Sequence, residues 1–220
     1  MISLLSTRAS TPIGDIDALA EREKVGPNLM APTCGQLNSR QRQASPLQCH
    51  VAVKLTTPLG EIGLIDVLHP GDTFGEQSLV DGVGVRTATV AAIERAEKLA
   101  LDVRSFGELR HVNAGVDQFL LTVIGVRLQA TSHQLLEALY LPAETRVLRC
   151  VERLRIMFSA GTDTSIPLTQ CDVAEMAGVT RSTANRRLRH AQEIGLIRIG
   201  RAQIDVCDVA ALRRKAGLVS

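Results

Sequence analysis

Tryptophan is absent from this chain, and aromatic residues make up only 2% of it. Its cores must therefore be aliphatic, and binding of single-stranded nucleic acid by base stacking on aromatic platforms is disfavoured. No apolar run reaches the ~18 residues of a membrane helix, so no membrane association is expected. Met1-Ile-Ser-Leu-Leu is too short for a signal-peptide core, which makes the cytoplasm the expected location. No C-x2-C pair occurs either. The five cysteines (Cys34, Cys49, Cys150, Cys171, Cys207) are odd in number and far apart, so no metal site is expected. The default is reduced, structural thiols. The content, 45% hydrophobic and 22% charged over 220 residues, is that of one or two folded domains with real cores.

The net charge of +2 hides an uneven distribution. From Ala143 to Ser220 there are 13 Lys and Arg against 8 Asp and Glu, a net +5, whereas the preceding segment is −3. A basic C-terminal domain is the electrostatic footprint of phosphate-backbone contact.

That domain carries the most informative stretch. Thr169 can cap a short helix, and Asp172 suits its positive end. Val173 and Ala177 would share one face of it. Gly178 allows a tight turn, Val179 plugs the junction, and Thr180 can cap a second helix. Arg181, Arg186, Arg187 and Arg189 follow within nine positions, on an element sized for a DNA major groove. A solvated basic helix face is the plainer alternative, but the order of cap, turn, cap and basic helix favours a helix-turn-helix. Gly195-Leu-Ile-Arg-Ile199, a Gly200-Arg201 turn and Gln203-Ile-Asp-Val-Cys207 read as a hairpin wing behind it. The DNA-binding candidates are Thr180, Arg181, Ser182, Thr183, Arg186 and Arg189. At the start of the first helix, Cys171 stands where a helix N-terminus could favour thiolate, which leaves a thiol redox sensor as a competing reading.

Earlier in the chain the pattern is β. Short apolar runs around Val51–Val53, Glu61–Leu68, Ala88–Ile93 and Lys98–Val103 are separated by turn signals at Pro58-Leu-Gly60 and Pro70-Gly-Asp72. Such spacing predicts a sandwich or barrel-like roll. Residues 1–48 show neither periodicity clearly, although Gly14–Lys24 could form a short helix. A long helix is expected from about His111 to Leu141, ended by Pro142. It carries two stripes: Val112, Val116, Phe119, Val123, Val126 and Ala130, and Leu120, Ile124, Leu128, Thr131, Leu135 and Leu139. One stripe can pack on the roll, and a heptad-like seam suits a second copy of the chain, a homodimer. One wide core-facing stripe is the alternative. Glu144–Phe158 reads as a further helix, and Ser159–Pro167 as a connector.

Within the roll, Gly75 allows close backbone approach to an anion. Arg86 offers a planar charged fork, and Thr87 a hydroxyl. Glu76 would repel bare phosphate but can accept from a sugar hydroxyl, so a phosphate with attached ribose suits the set. A Gly-Glu turn and an Arg-Thr strand are also ordinary structural features, and both readings stand on the residues alone.

Pro70-Gly-Asp-x-Phe-Gly-Glu76, the eleven-residue step from Gly75 to Arg86, Arg86-Thr-Ala88, the long helix and the winged helix-turn-helix together resemble one family. It is the cyclic AMP receptor protein / fumarate-nitrate regulator family of bacterial transcription factors, cyclic AMP receptor branch. The likeness runs from Val51 to Ser220, about three quarters of the chain. It implies an α+β fold with a cyclic-nucleotide-binding β-roll at 49–110, a dimerisation helix at 111–142 and a winged helix-turn-helix DNA-binding domain at 143–220. Residues 1–48 would form an atypical part of the roll. It implies no enzyme but a homodimeric regulator of double-stranded DNA, with cAMP as allosteric effector and RNA polymerase as a further partner. By resemblance Glu76 takes the ribose, Arg86 and Thr87 the cyclic phosphate, and Thr131 and Ser132 the adenine, Ser132 from the second subunit. Two departures stand out: Ser182 occupies a frequent glutamate position, and Arg187 a usually apolar one. The competing readings are the same family with a degenerate pocket, which would bind DNA independently of effector, and an enzyme regulatory subunit with such a roll.

Overall fold

Alternating small and β-branched residues shape the roll. The computed structural model describes residues 2–5, 21–25, 50–60, 62–76, 88–93, 96–159 and 165–218. Strands β3 (Val51–Thr56), β4 (Ile62–Leu68) and β6 (Ala88–Ala92) form a sheet in the order β4-β3-β6, with Val53 opposite Val90. Val51, Leu68 and Ala92 are buried on it, with Val53, Phe74 and Val90 against them. Both expected turns are present. Gly60 N–H donates to the Thr57 carbonyl and Asp72 N–H to that of His69, and Gly60 and Gly71 hold φ of +87° and +96° that other residues rarely adopt.

A second sheet joins β1 (Ile2–Leu5), β2 (Glu21–Val25), β5 (Thr73–Phe74) and β7 (Ala96–Leu101) in the order β2-β7-β1-β5, all antiparallel. This corrects the helix expected over Gly14–Lys24. Glu21–Val25 is extended, because pairing with β7 outweighs the helix preference of a Glu-Arg-Glu-Lys run. Residues 14–20 lie outside the described residues.

The expected long helix is present as α2 (Gly115–Tyr140), with its start corrected: His111 and Val112 end a separate preceding helix, α1 (Val103–Val112). Asp102 caps α1 by accepting from the Arg104 and Ser105 amides at 2.8 and 3.0 Å. At the break Asn113 is extended, its side chain accepts from Gly115 N–H at 2.9 Å, and Arg110 pairs with Asp117 across the bend at 2.6 Å. Leu101, Phe106, Leu109, Val116 and Leu120 form the buried elbow. The two proposed stripes do not separate cleanly. Val116 of the first and Leu120 of the second are buried together, whereas Val112 and Val126 of the first are 82% and 61% exposed. The exposed apolar face of α2 is Leu121, Ile124, Leu128 and Leu135, close to the second stripe.

The chain makes two compact units, Met1–Ile62 with Asp66–Gln129 and Gly63–Ile65 with Ala130–Ser220. In the second, α3 (Ala143–Phe158) starts after Pro142 and buries Val147, Leu148, Cys150, Val151 and Leu154. α4 (Gln170–Met176) and α5 (Arg181–Glu193) follow, then the hairpin β9 (Ile197–Gly200) and β10 (Gln203–Val206), and α6 (Val209–Lys215). Ser165–Ile166, expected in a connector, forms β8 and pairs with β10 as the third strand of the wing sheet.

Candidate effector and DNA-reading sites

The tight turn before Glu76 places a carboxylate inside the roll. Gly75 holds φ of +88°, and Glu76 is only 3% exposed. Burying a carboxylate is costly unless it is paired. Its partner is Arg127 of α2, whose Nη1 donates to Glu76 Oε1 while Nη2 donates to the Thr73 carbonyl. Glu76 Oε2 and Thr73 Oγ1 are buried with no hydrogen-bond partner among the described residues. An orphaned buried carboxylate oxygen fits a ligand that brings a hydroxyl donor, as a ribose does. Sequence reasoning placed Glu76 but missed Arg127, because the partner of a surface-like helix arginine lies 51 residues away. Arg86 and Thr87 lie outside the described residues. Thr131 and Ser132 are exposed residues of α2, one turn past Arg127.

The helix-turn-helix is built as the caps dictate. Thr169 and Asp172 form a reciprocal capping box, with Thr169 N–H donating to Asp172 at 2.8 Å and Asp172 N–H to Thr169 Oγ1 at 3.2 Å. Val173 and Ala177 are both buried, and Gly178 turns with φ of +62°. Thr180 caps α5 by accepting from Thr183 N–H at 3.2 Å. Its hydroxyl also lies 3.1 Å from that of Ser182 and 2.9 Å from that of Thr183, so the Ser182 hydroxyl is engaged at the cap. Asn185 donates to Gln170 at 2.7 Å, tying α5 to α4.

Ala184, Leu188 and Ala191 make the buried stripe of α5. At 3.6 residues per turn, Ser182, Arg186, Arg189 and Glu193 fall on the opposite, outward face, with Arg181 and Arg187 to either side. Charge divides the same way. Arg149 and Arg153 pair with Glu137, Arg155 and Arg213 with Glu152, and Arg187 and Lys215 with Glu144. Arg146 donates to the Gly178 and Ala138 carbonyls. Arg181, Arg186, Arg189, Arg198, Arg201 and Arg214 are exposed and make no ion pair among the described residues. Five of these six lie on α5 or the wing. Arg187, unexplained by sequence, is thus an internal partner of Glu144.

The thiolate expectation for Cys171 is overturned. Burial, then the Glu175 carboxylate 3.6 Å from its sulfur, raise this thiol above its ordinary range despite the helix N-terminus. Burial pushes the Cys150 thiol up to about 11. Among the described residues no group of three or more His, Cys, Asp or Glu could hold a metal, and no helix is long and apolar enough to cross a membrane.

A roll with a buried, arginine-held carboxylate, followed by a winged helix-turn-helix, is the architecture of a DNA-binding transcriptional regulator. Residues 49–113 match the cyclic nucleotide-binding domain and residues 139–215 the Crp-like helix-turn-helix domain. The chain belongs to the cyclic AMP receptor protein / fumarate-nitrate regulator family of transcription factors. It is 25% identical over 170 residues to a CRP-like cAMP-activated global transcriptional regulator of Mycobacterium tuberculosis, covering 76% of this chain and 75% of that one. It is 29% identical over 157 residues to a cyclic AMP receptor protein of Thermus thermophilus, covering 71% of each. Solved structures agree on the fold. A CRP/FNR-family transcriptional regulator of Thermus thermophilus superposes with a TM-score of 0.69 at 16% identity, over 90% of this chain and 98% of that one. The c-di-GMP responsive global regulator CLP of Xanthomonas campestris does so with 0.66 at 16% identity, over 89% and 99%.

Proposed function

We propose that this DNA-binding regulator acts as a homodimer on a palindromic operator, with its affinity set by a cyclic nucleotide, cAMP, held in the roll. The observation that carries DNA reading is the partition of charge. Most other cations of the second unit are held internally by Glu137, Glu144 and Glu152 or by carbonyls, whereas Arg181, Arg186 and Arg189 of α5 and Arg198 and Arg201 of the wing make no ion pair among the described residues and are left for phosphate and base edges. Arg186, opposite the buried stripe, reads a guanine, and Arg189 beside it, with Arg198 and Arg201 of the wing, meets phosphate. Arg181 contacts the groove at the helix N-terminus, where Thr180, Ser182 and Thr183 face the backbone. The exposed leucine face of α2 supplies the dimer seam.

For the effector, Glu76 Oε2 accepts a ribose hydroxyl while Arg127 holds the carboxylate in place. Arg86 and Thr87 take the cyclic phosphate, and Thr131 and Ser132 meet the base. RNA polymerase is the partner through which such a regulator acts. Titration calorimetry with cAMP, cyclic GMP and cyclic di-GMP, with and without operator DNA, tests this reading. cAMP and operator should tighten each other's binding by the same factor, about 5–150-fold. Arg86→Leu should abolish the effect. Saturable binding that leaves operator affinity unmoved would keep the site and remove the switch. No binding at millimolar nucleotide would favour effector-independent regulation.

A further inference from the structure

One carboxylate gathers three helices of the second unit. Glu144 stands in the first turn of α3 and accepts from Arg187 of α5 on Oε2 at 3.1 Å and faces Lys215 of α6 on Oε1 at 3.8 Å. The Arg187–Glu144 pair is about one-third exposed on both sides, and Arg187 Nε is buried with no other partner. Arg187 is therefore not an ordinary solvated charge, whereas Lys215 is exposed and faces Glu144 more loosely. Arg187 is also the immediate neighbour of Arg186, about 100° around the same helix. Whatever holds Arg187 against α3 resists rotation of α5 about its axis, and so sets the direction in which Arg186 points.

We propose that Glu144 is a positioning residue for DNA reading: it fixes the rotational setting of α5 through Arg187 and withholds Arg187 and Lys215 from the phosphate backbone. The inference rests on α5 being the DNA-reading helix. Specific affinity is then gained because Arg186 is aimed before binding, and non-specific affinity is kept low because two cations are already paired. A purely structural ion pair would stabilise the fold without touching either quantity.

The test compares wild type, E144Q, R187Q, R187K and the E144Q/R187Q double variant by fluorescence anisotropy. Operator and scrambled duplexes are each titrated across a salt series, beside thermal melts of every protein. E144Q should lose roughly threefold to tenfold in operator affinity, while its affinity for scrambled DNA holds or rises and its salt slope steepens by about one. R187Q should show the operator loss without the steeper slope, and R187K should recover most of it. The double variant should be no worse on operator than either single variant, because both break one contact. Losses that multiply in the double variant, or operator and scrambled affinities that fall together with the melting temperature, would overturn the proposal. Wild type that prefers no DNA sequence would instead remove the DNA-reading assignment of α5, a result the first titration gives by itself.

Discussion

Arg127 holds Glu76 by one oxygen only. The other oxygen is buried without a partner among the described residues, and the two side chains are separated by 51 positions in the chain. A carboxylate half satisfied in this way is poised to accept one further hydrogen bond, and charged acceptors make the stronger ones. Glu76→Gln keeps the shape and removes the charge. It should weaken cyclic nucleotide binding by about 1.5–3 kcal/mol, roughly tenfold to a hundredfold. Titration calorimetry reads this directly, and unchanged affinity would move the ribose elsewhere.

At the DNA, Arg186→Ala should relax preference at one base position per half-site and cost about 1–3 kcal/mol. Arg189→Ala should weaken all sequences alike and lower the salt slope by roughly one. Binding to a randomised operator library, followed by sequencing, separates the two. A binding logo unchanged by Arg186→Ala would reassign the reading residue.

Leu128 is 66% exposed in the middle of the apolar face of α2. Leu128→Asp would put an unpaired charge into the proposed seam, so dimerisation and operator binding should weaken together. Sedimentation at micromolar concentration checks it. Half-site centres should lie about 34–36 Å apart for a two-fold dimer. A variant that stays dimeric would place the seam on another face.

Thiol chemistry has a defined sign. The folded-state Cys150 thiol titrates at about 11 against an ordinary 9.0, so its stabilising contribution is complete below pH 9 and is lost as pH rises towards 11. Cys150→Ala should therefore flatten the alkaline limb of the unfolding curve, whatever it does near neutrality. Cys171 is also shifted up, so iodoacetamide at pH 8 should reach exposed Cys207 first, then Cys171, and Cys150 last. Mass spectrometry of timed aliquots gives the order, and rapid labelling of Cys171 would revive a redox role.

Glu152, only 2% exposed, accepts two hydrogen bonds from Arg155 and lies 3.7 Å from Arg213. Glu152→Ala should destabilise the second unit by about 3 kcal/mol, near the low end for a broken buried pair because Arg213 is half-exposed. Thermal melting tests the size. A loss below about 1 kcal/mol would mean that the arginines relax into water.

What the sequence made legible is local. Thr169 with Asp172, Gly178 and Thr180 are side chains whose own chemistry dictates a cap or a turn, and they do what their spacing predicts. The family resemblance carried the order of roll, helix and winged helix-turn-helix. What stayed hidden depends on distant partners. Glu21–Val25 has a helix-former's composition and is a strand only because β7 lies beside it. Arg127 and Arg187 look like surface cations until Glu76 and Glu144 are found against them. The Asn113 break is intermediate. Asn followed by Ala-Gly is a readable stop, and it moves the start of the long helix from His111 to Gly115.

The pairing of β1 has a consequence in time. Among the described residues Ile2–Leu5 pairs with Thr73–Phe74 and Lys98–Leu101, so this strand waits for most of the roll to be synthesised before it can be satisfied. By contrast the β9–β10 hairpin pairs neighbouring residues, and Asn185 meets Gln170 15 positions away. Loop closure makes the distant pairings the slow step. The DNA-binding unit should refold faster than the roll, and the unpaired β1 edge is the stretch most exposed to mispairing in a chain still growing.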